Sequence, residues 1–216
     1  MPHARRVVVI TLAIGLVVLL TALVVTLSHA AVRRTGSNYI RAVQSLGVTS
    51  GGGTFCQPDE LAPEDTGAVR LSLNTGRGHG ATVAVALHRA GELVARGRAP
   101  AGWQGDTVTV PLRPVLTHDV HGRLCVTLGK GAPMQLLGQQ AERRVAARSG
   151  GSSLRGRLRV VYLRPHPESW WAFAPTVVDR MGLGHALHGS IVAILAFLLV
   201  LAAGALGTWQ LVRASA

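Results

Sequence analysis

Two long runs of uncharged, apolar residues near the ends of the chain constrain its structure more than any other feature. The first covers residues 7–27 and the second covers residues 190–212. In lipid, each backbone N–H and C=O must be paired within its own segment, so such a run is helical. At 1.5 Å per residue, either run reaches about 30 Å, the thickness of the hydrocarbon core. The sequence therefore predicts transmembrane helices at residues 7–28 and 189–212.

Positive charges flank the outer end of each run. Arg5 and Arg6 precede the first run, and Arg213 follows the second. Arginines close to a span tend to remain in the cytoplasm. We therefore expect a two-pass protein of the cell membrane whose termini are both cytoplasmic, with short tails at residues 1–6 and 213–216.

The first run has an alternative interpretation as a cleaved signal peptide. Ser28, His29 and Ala30 resemble a small-residue cleavage site. The apolar region of a signal peptide has about 7–15 residues and is shorter than this run, which favours an uncleaved helix. Either interpretation exports residues 31–188.

The exported segment has the period-two pattern of β-strands. Residues 107–110 alternate threonine with valine, Pro111 marks a strand end, and residues 89–92 form a tight turn between two strand candidates. Short strands and glycine-rich turns favour a mainly β fold over residues 31–168, an antiparallel sandwich of jelly-roll-like or immunoglobulin-like type. Seven strands are predicted, at residues 69–74, 82–88, 93–98, 107–112, 124–128, 134–137 and 158–163.

Two short helices are predicted at the edges of this β segment. Ser37 is a candidate N-cap for the first helix, which Gly47 would end. Pro175 is expected to open the second helix, over residues 176–181. The first helix has a set of apolar residues on one side, namely Tyr39, Ile40, Val43 and Leu46.

Cys56 and Cys125 are the only two cysteines, and both lie in the exported segment. Outside the cytoplasm, two such thiols oxidise when the fold brings them together. A zinc site needs more ligands, and the sequence has no CxxC motif. We expect a Cys56–Cys125 disulfide, which closes a loop of about 70 residues and stabilises the fold by about 4 kcal/mol on a chain-entropy argument.

Arginine dominates the charge of the exported segment, which has 19 basic and 10 acidic residues. Arg155, Arg157 and Arg159 alternate with apolar residues, so in a strand they lie on one face about 7 Å apart. Such a row suits the phosphates or carboxylates of an anionic lipid or an envelope polysaccharide. The alternative is an ordinary solvated sheet face. Nucleic acid is not expected as a partner, because the domain is exported.

Aromatic residues stand next to the second apolar run. Trp170, Trp171 and Phe173 precede it, within residues 169–188, and Trp209 lies near its end. Indole rings favour the headgroup region of a bilayer, so this segment is predicted to lie at the membrane interface. The alternative for the first three residues is a platform on which a sugar stacks.

Small residues recur along one side of the second apolar run. Ala196, Ala203 and Gly207 are spaced seven and four residues apart. In lipid, small side chains let two helices approach closely. We expect this side to pack against another membrane helix, belonging either to a partner membrane protein or to the first run of this chain.

Catalytic and metal-binding patterns are sparse. His118 and His121, with Asp119 between them, form the one cluster of metal-ligand residue types, but no third or fourth ligand stands at a recognised spacing, which favours a polar turn. The GxSxG, HExxH and P-loop motifs are missing from the sequence. We therefore assign no catalytic residue and expect no metal or cofactor.

The overall layout resembles uncharacterised actinobacterial cell-envelope proteins with two spans. The likeness is carried by the two spans themselves and by residues 171–184 (WAFAPTVVDRMGLG) before the second. Residues 102–112 (GWQGDTVTVPL), followed by the strand holding Cys125, are similar to part of a galactose-binding-like jelly roll. The resemblance implies a non-catalytic partner in envelope sugar transfer or polymer assembly, and it transfers no catalytic residue.

These observations favour a membrane-anchored, non-catalytic binding or accessory subunit of the bacterial cell envelope. The alternative is an exported hydrolase or transferase that acts at the membrane surface on an envelope glycan or a lipid-linked sugar. An enzyme would need a concave pocket in which polar groups such as His118 and Asp119 converge with another acid.

The predicted topology can be tested with reporter fusions. A reporter that is active only in the cytoplasm should give signal when it is fused to either terminus, because Arg5, Arg6 and Arg213 hold both ends inside. The same reporter inserted near Gly131 should be silent. A signal from that internal fusion would contradict the topology.

Overall fold

A computed structural model describes residues 2–49, 52–76, 78–131, 133–149, 152–181 and 189–214. The chain divides into two compact units. One contains Met1–Ala31 with Glu168–Ala216, and the other contains Val32–Pro167. The first unit is helical and the second is built from β-strands, so each is described by itself.

The helical unit contains α1 (Pro2–Ser28), α2 (Trp170–Met181) and α3 (Gly189–Ala214). Over Arg6–Ser28, α1 is long and apolar enough to cross a membrane, a property that N-terminal signal sequences share. The prediction of an apolar helix ending at residue 28 is confirmed. Helix α3 covers the residues predicted as the second span, and its crossing of a membrane stays a prediction. Both α2 and α3 contact α1.

The helix α2 differs from its prediction because it begins six residues earlier. Ser169 is its N-cap, since the Ala172 backbone N–H donates to the Ser169 hydroxyl at 3.3 Å. Pro175 therefore lies inside the helix rather than at its start. A hydroxyl-bearing cap at residue 169 outweighs the preference of proline for the first turn.

The β unit contains thirteen short strands within the described residues, and every pairing whose register is known is antiparallel. Each predicted strand coincides with an observed one, except that the last is divided in two at Arg159. The strands are β1 Ala31–Ser37, β2 Gln44–Thr49, β3 Gly53–Ala62, β4 Ala68–Asn74, β5 Val83–Arg89, β6 Glu92–Ala99, β7 Thr107–Arg113, β8 Val120–Leu128, β9 Met134–Gln140, β10 Arg148–Ser149, β11 Ser152–Ser153, β12 Gly156–Leu158 and β13 Val160–Glu168.

The short helix predicted from Ser37 to Gly47 is wrong, because this segment contributes to β1 and β2 instead. Tyr39, between the two strands, has φ of 56°, which a right-handed helix does not permit. The neighbouring Asn38 bonds to the main chain of residues 158 and 160, far away in sequence. Long-range pairing therefore overrides the local apolar spacing.

The strands follow the order β1-β13-β4-β7-β6-β5-β8-β3-β10-β11, and β9 pairs with β12, β2 and β4. Two strands change partner along their length. β7 pairs with β4 through residues 107–111 and with β6 through residues 112–113. β4 pairs with β9 through Leu73 and Asn74. These changes of partner join all thirteen strands into one large antiparallel sheet.

Alternating burial shows which face of the sheet is packed. Along β7, Val108, Val110 and Leu112 are buried while the residues between them are exposed. Most of the buried apolar side chains of the unit belong to a single core, which includes the fully buried Tyr162. The predicted alternation in this strand is confirmed.

The predicted disulfide is present, with Cys56 bonded to Cys125. Cys56 lies in β3, a strand that the sequence analysis did not predict, and stands directly opposite Cys125 in β8. The bridge joins neighbouring strands across a sequence separation of 69 residues. Both side chains are half-buried on the outward face of these strands.

Removing the disulfide should destabilise the fold far more than removing a hydrogen bond between the same strands. We expect Cys56→Ala with Cys125→Ala to lower the free energy of unfolding by about 4 kcal/mol, because the unfolded chain regains loop entropy. Urea unfolding, followed by the fluorescence of Trp103, measures the loss.

The matched control is Thr54→Ala with Thr127→Ala, which removes a 3.0 Å hydroxyl contact between β3 and β8 without opening a loop. This control should cost less than about 1 kcal/mol. Equal losses in the two double variants would show that the covalent loop contributes nothing.

Candidate functional site

The outward face of β6, β5 and β8 carries arginine side chains around a concave surface. Ala84 and Ala86 of β5 point outward, between the buried Val83, Val85 and Leu87. Strand register places Ala84 opposite Arg98 and Ala86 opposite Arg96. Small side chains therefore form a floor beside two exposed guanidinium groups.

This floor belongs to a depression of about 660 Å³, here called the arginine trough. Its main lining is Ala84, Ala86, Arg96, Arg98, Arg113 and Thr127. All three arginines are exposed. None of the described residues that line it is a carboxylate. The guanidinium groups therefore repel one another without an internal counterion, which is the electrostatic condition for binding an anion.

A close approach of two strands brings the third arginine to the trough. Arg96 stands opposite Arg113 where β6 meets β7. At the adjacent Gly97, an added Cβ would lie 1.7 Å from the carbonyl oxygen of Pro111, so only glycine fits. This glycine lets the two strands pair and so sets Arg113 beside Arg96.

A second depression, also of about 660 Å³, is here called the histidine pocket. His88 of β5 stands opposite Arg123 of β8, and His121 follows on the same outward row as Arg123. Asp59 of β3 and the turn at Ala90 and Gly91 complete much of the lining, and Cys125 of the disulfide also contributes. This pocket offers two imidazole rings, one guanidinium cation and one carboxylate.

A buried polar network fixes the shape of β3 beside the histidine pocket. Glu60 is completely buried, yet its carboxylate has four partners, one of which is the Asn38 side-chain amide, which donates to Oε1 at 3.4 Å. Arg157 forms an ion pair with Oε1, Gln57 donates to the same oxygen at 2.5 Å, and the Tyr162 hydroxyl donates to Oε2 at 2.9 Å. A buried charge needs such partners, because desolvation alone would cost several kcal/mol.

The same network secures the bulge that presents Asp59. The register of β3 against β8 shifts between Gln57 and Glu60, and Asp59 has φ of 51°. Arg157 donates to the carbonyl oxygens of Pro58 and Asp59, at 3.4 and 3.1 Å. One guanidinium group therefore satisfies the buried carboxylate and also two carbonyls of the bulge.

The network also connects distant strands through backbone contacts. The Leu158 N–H donates to Gln57 Oε1 at 2.7 Å, and the Leu158 carbonyl accepts from Asn38 at 2.8 Å. Asn38 in turn accepts from the Val160 N–H at 3.2 Å. The N-terminal strands and the β12–β13 junction thus meet around Glu60.

Burial first, and then the neighbouring Glu60 carboxylate, raise the pKa of Tyr162 well above the ordinary tyrosine value. The hydrogen bond to Glu60 acts in the same direction, while the nearby Arg157 charge opposes it. Tyr162 is therefore a neutral donor to a buried anion rather than a proton-transfer group.

The predicted arginine stripe is not uniform in the structure. Arg155 is exposed and Arg159 is half-buried, as the alternation of residues 154–160 requires. Arg157, however, forms an ion pair with Glu60, and its side chain is only 16% exposed. The assignment of Arg157 to anion binding is therefore corrected: it is an internal partner of a buried carboxylate.

His118 and His121 occupy different surroundings. His118 lies before β8, where its Nε2 is 3.4 Å from an Arg89 nitrogen. His121 lies in β8 and lines the histidine pocket. Asp119 accepts the Glu64 N–H at 2.9 Å. Across the described ranges of the chain, no three His, Cys, Asp or Glu side chains are grouped to hold a metal ion.

The aromatic residues predicted at the interface belong to the helical unit. Trp170 and Trp171 are each about half exposed, and the Trp171 indole donates to the Ser28 hydroxyl at 3.1 Å. Phe173 is half-buried in α2. Trp209 is exposed on α3, with the Arg213 guanidinium 5.4 Å from its ring centroid. Their place at a membrane interface stays a prediction.

The small residues predicted to pack against another helix lie on α3. A Cβ added at Gly207 would meet open space. The side chains of Ala196 and Ala203 lie outside the described part of the structure. Packing along this side of the helix therefore also stays a prediction.

The trough was not predicted from the sequence, although a signal for it was present. Arg96 and Arg98 alternate in one predicted strand, and Ala84 and Ala86 alternate in its neighbour. The turn at residues 89–92 joins the two strands into the predicted hairpin, which the structure confirms. Arg113 had no such signal, because its position depends on the pairing of β6 with β7.

The buried tyrosine should make the stability of the β unit fall at alkaline pH. Because the folded-state pKa of Tyr162 is raised, stability is complete below about pH 10, the unfolded value, and is lost as the pH rises above it. Tyr162→Phe should cost about 1–3 kcal/mol at neutral pH, since a charged acceptor loses its donor. Above about pH 10 its stability should fall less steeply than that of the wild type.

Urea unfolding between neutral and alkaline pH measures both effects. Tyr39→Phe is the matched control, because Tyr39 is the only other tyrosine and is 91% exposed. The control should follow the wild-type curve. Parallel alkaline slopes for Tyr162→Phe and the wild type would contradict this assignment.

Comparison of the chain with protein-family models and with curated proteins finds no match. We therefore base the proposed function on the geometry of the arginine trough and the histidine pocket, and on the export predicted for residues 31–188.

Proposed function

We propose that this protein is a membrane-anchored, extracytoplasmic binding subunit that holds an anionic ligand in the arginine trough. The observation that carries the proposal is the convergence of Arg96, Arg98 and Arg113 on an alanine floor whose described lining contains no carboxylate. Each guanidinium presents a planar set of donors that matches phosphate and carboxylate oxygens. An anion seated there relieves the mutual repulsion of three cations.

Anchoring follows from the two apolar helices. In this proposal α1 and α3 both cross the membrane, both termini are cytoplasmic, and residues 31–188 lie outside. Trp170, Trp171 and Trp209 then lie at the headgroup level, and α3 packs through its small residues against α1 or a partner protein. The uncharged composition of both segments and the arginines next to them support this arrangement.

We further infer that the β unit is a sandwich, because most of its buried apolar side chains form one core beneath alternating strands. The cellular role that fits is an accessory subunit of a bacterial cell-envelope system, of the kind implied by the resemblance to actinobacterial two-span proteins. The ligand is then an anionic envelope polysaccharide or lipid headgroup.

An exported hydrolase or transferase is the second proposal, supported by one observation. His88, His121 and Asp59 line a common pocket, where imidazole and carboxylate groups could exchange protons with a substrate. Two observations favour the binding role instead. Asp119 is engaged by a backbone N–H, and His118 is next to Arg89, so the acid–base pair considered from sequence is not directed at this pocket.

The binding proposal can be tested with two charge-matched double variants. Arg96→Gln with Arg98→Gln removes two trough cations, whereas Arg155→Gln with Arg159→Gln removes two cations from the stripe predicted by sequence. The full chain in nanodiscs of neutral lipid is titrated with inorganic tripolyphosphate. The trough variant should bind about tenfold more weakly, since each lost contact contributes up to about 1 kcal/mol.

A third variant, Arg143→Gln with Arg144→Gln, reports the effect of net charge alone, because both side chains are exposed outside either candidate site. The trough variant should also show a shallower dependence of affinity on salt. Equal weakening in all three variants would contradict a specific trough. Selective loss in the Arg155 and Arg159 variant would favour the stripe.

A further inference from the structure

We propose that the arginine trough and the histidine pocket are two halves of one elongated site for a linear polymer that carries spaced negative charges and free hydroxyl groups. This inference rests on the proposed function and names its ligand class. The two depressions each have a volume of about 660 Å³, and both are lined by outward-facing residues of β5 and β8.

Strand β8 provides the continuity between the halves. Its outward row includes Thr127, which lines the trough, followed by Cys125 and Arg123, which line the pocket. Register places these three opposite Ala84, Ala86 and His88 of β5. Neighbouring outward positions on two paired strands therefore pass from one depression directly into the other.

The separation of the cations indicates the size of the ligand. Arg96 and Cys125 both stand opposite Ala86, so they are two strand spacings apart, about 10 Å. Arg123 lies a further two residues along β8, about 7 Å. A single phosphate or lipid headgroup contacts one depression at a time, whereas a chain of repeating units reaches both.

The surface between Arg96 and Arg123 indicates how the negative charges of the polymer are spaced. Ala86 and the half-buried Cys56–Cys125 bridge occupy this region, and neither carries a charge. Uncharged spacing favours a polymer whose anionic groups are separated by neutral segments over one, such as polyphosphate, whose charged groups are linked directly to one another. Glycans and polyols linked by phosphodiesters, or bearing carboxylates, have this character.

The Asp59 carboxylate in the histidine pocket indicates that the ligand carries hydroxyl groups. Asp59 would repel a bare anion, but a carboxylate accepts hydrogen bonds from hydroxyls well. His88 and His121 supply further polar partners beside Arg123. A hydroxyl-bearing, phosphate-linked chain satisfies both the cations and the lone carboxylate.

The test compares glycerol phosphate with a poly(glycerol phosphate) oligomer long enough to reach both depressions, using the full chain in neutral nanodiscs. The oligomer should bind at least about tenfold more tightly, because the second contact becomes intramolecular. His121→Gln with Arg123→Gln should reduce this ratio towards one. An unchanged ratio in that variant would overturn the elongated site while leaving the trough in place.

A different result would contradict the proposed function itself, the binding of an anion in the trough. If Arg96→Gln with Arg98→Gln leaves the affinity for glycerol phosphate unchanged, the trough does not bind anions and both proposals are overturned. Unfolding curves matched to the wild type establish that each variant is folded. Vesicles of phosphatidylglycerol form a separate arm, and vesicle binding as tight as that of the oligomer would overturn the polymer in favour of a lipid headgroup.

The role of Asp59 is tested by Asp59→Gly, because glycine adopts the φ of 51° at this position without strain. This variant should bind poly(glycerol phosphate) more weakly and long-chain inorganic polyphosphate more tightly, since it loses a hydroxyl acceptor and a repulsive charge together. A change of the same sign for both polymers, or no change for either, would overturn a hydroxyl-bearing ligand.

Discussion

The buried carboxylate of Glu60 is the constraint on which the rest of the β unit depends. A charge with no solvent contact is tolerated only when its oxygens are paired, and here Arg157, Gln57 and Tyr162 pair them. These partners come from β3, β12 and β13, while Asn38 adds the segment between β1 and β2. Strands that are more than 90 residues apart in sequence are therefore joined at one point.

This pairing has consequences at the surface. The bulge that exposes Asp59 lies directly before Glu60, and the arginine that neutralises Glu60 also binds the bulge carbonyls. The disulfide then secures β3 to β8 only three residues before Asp59, on the outward face. A polar core and a covalent cross-link thus hold one wall of the histidine pocket. The other side of the site, the arginine trough, relies instead on small residues and on Gly97.

Much of the fold could be predicted from the local sequence pattern, and the predictions that were wrong have a common cause. Strand positions follow from alternation, and the strand predicted from the alternating residues 107–110 is present as β7. The segment around Tyr39 was predicted as a helix because its apolar spacing fits one, but Asn38 gains bonds to residues 158 and 160 that no local rule contains. Arg157 was assigned to an anionic ligand for the same reason: its period places it outward, whereas its partner Glu60 comes from another strand.

The sequence by itself determined the apolar helix ending at Ser28, the β character of the central segment and the pairing of its two cysteines. Each follows from composition or period, or from there being only one possible partner. Only the tertiary structure decided which arginines meet. Arg96 and Arg98 share a strand, whereas Arg113 lies beside them because Gly97 lets β6 and β7 approach closely. Arg157 is not available at the surface because it forms an ion pair with the buried Glu60 carboxylate. Both outcomes are set by contacts between distant segments, and a one-dimensional pattern does not encode which segments meet.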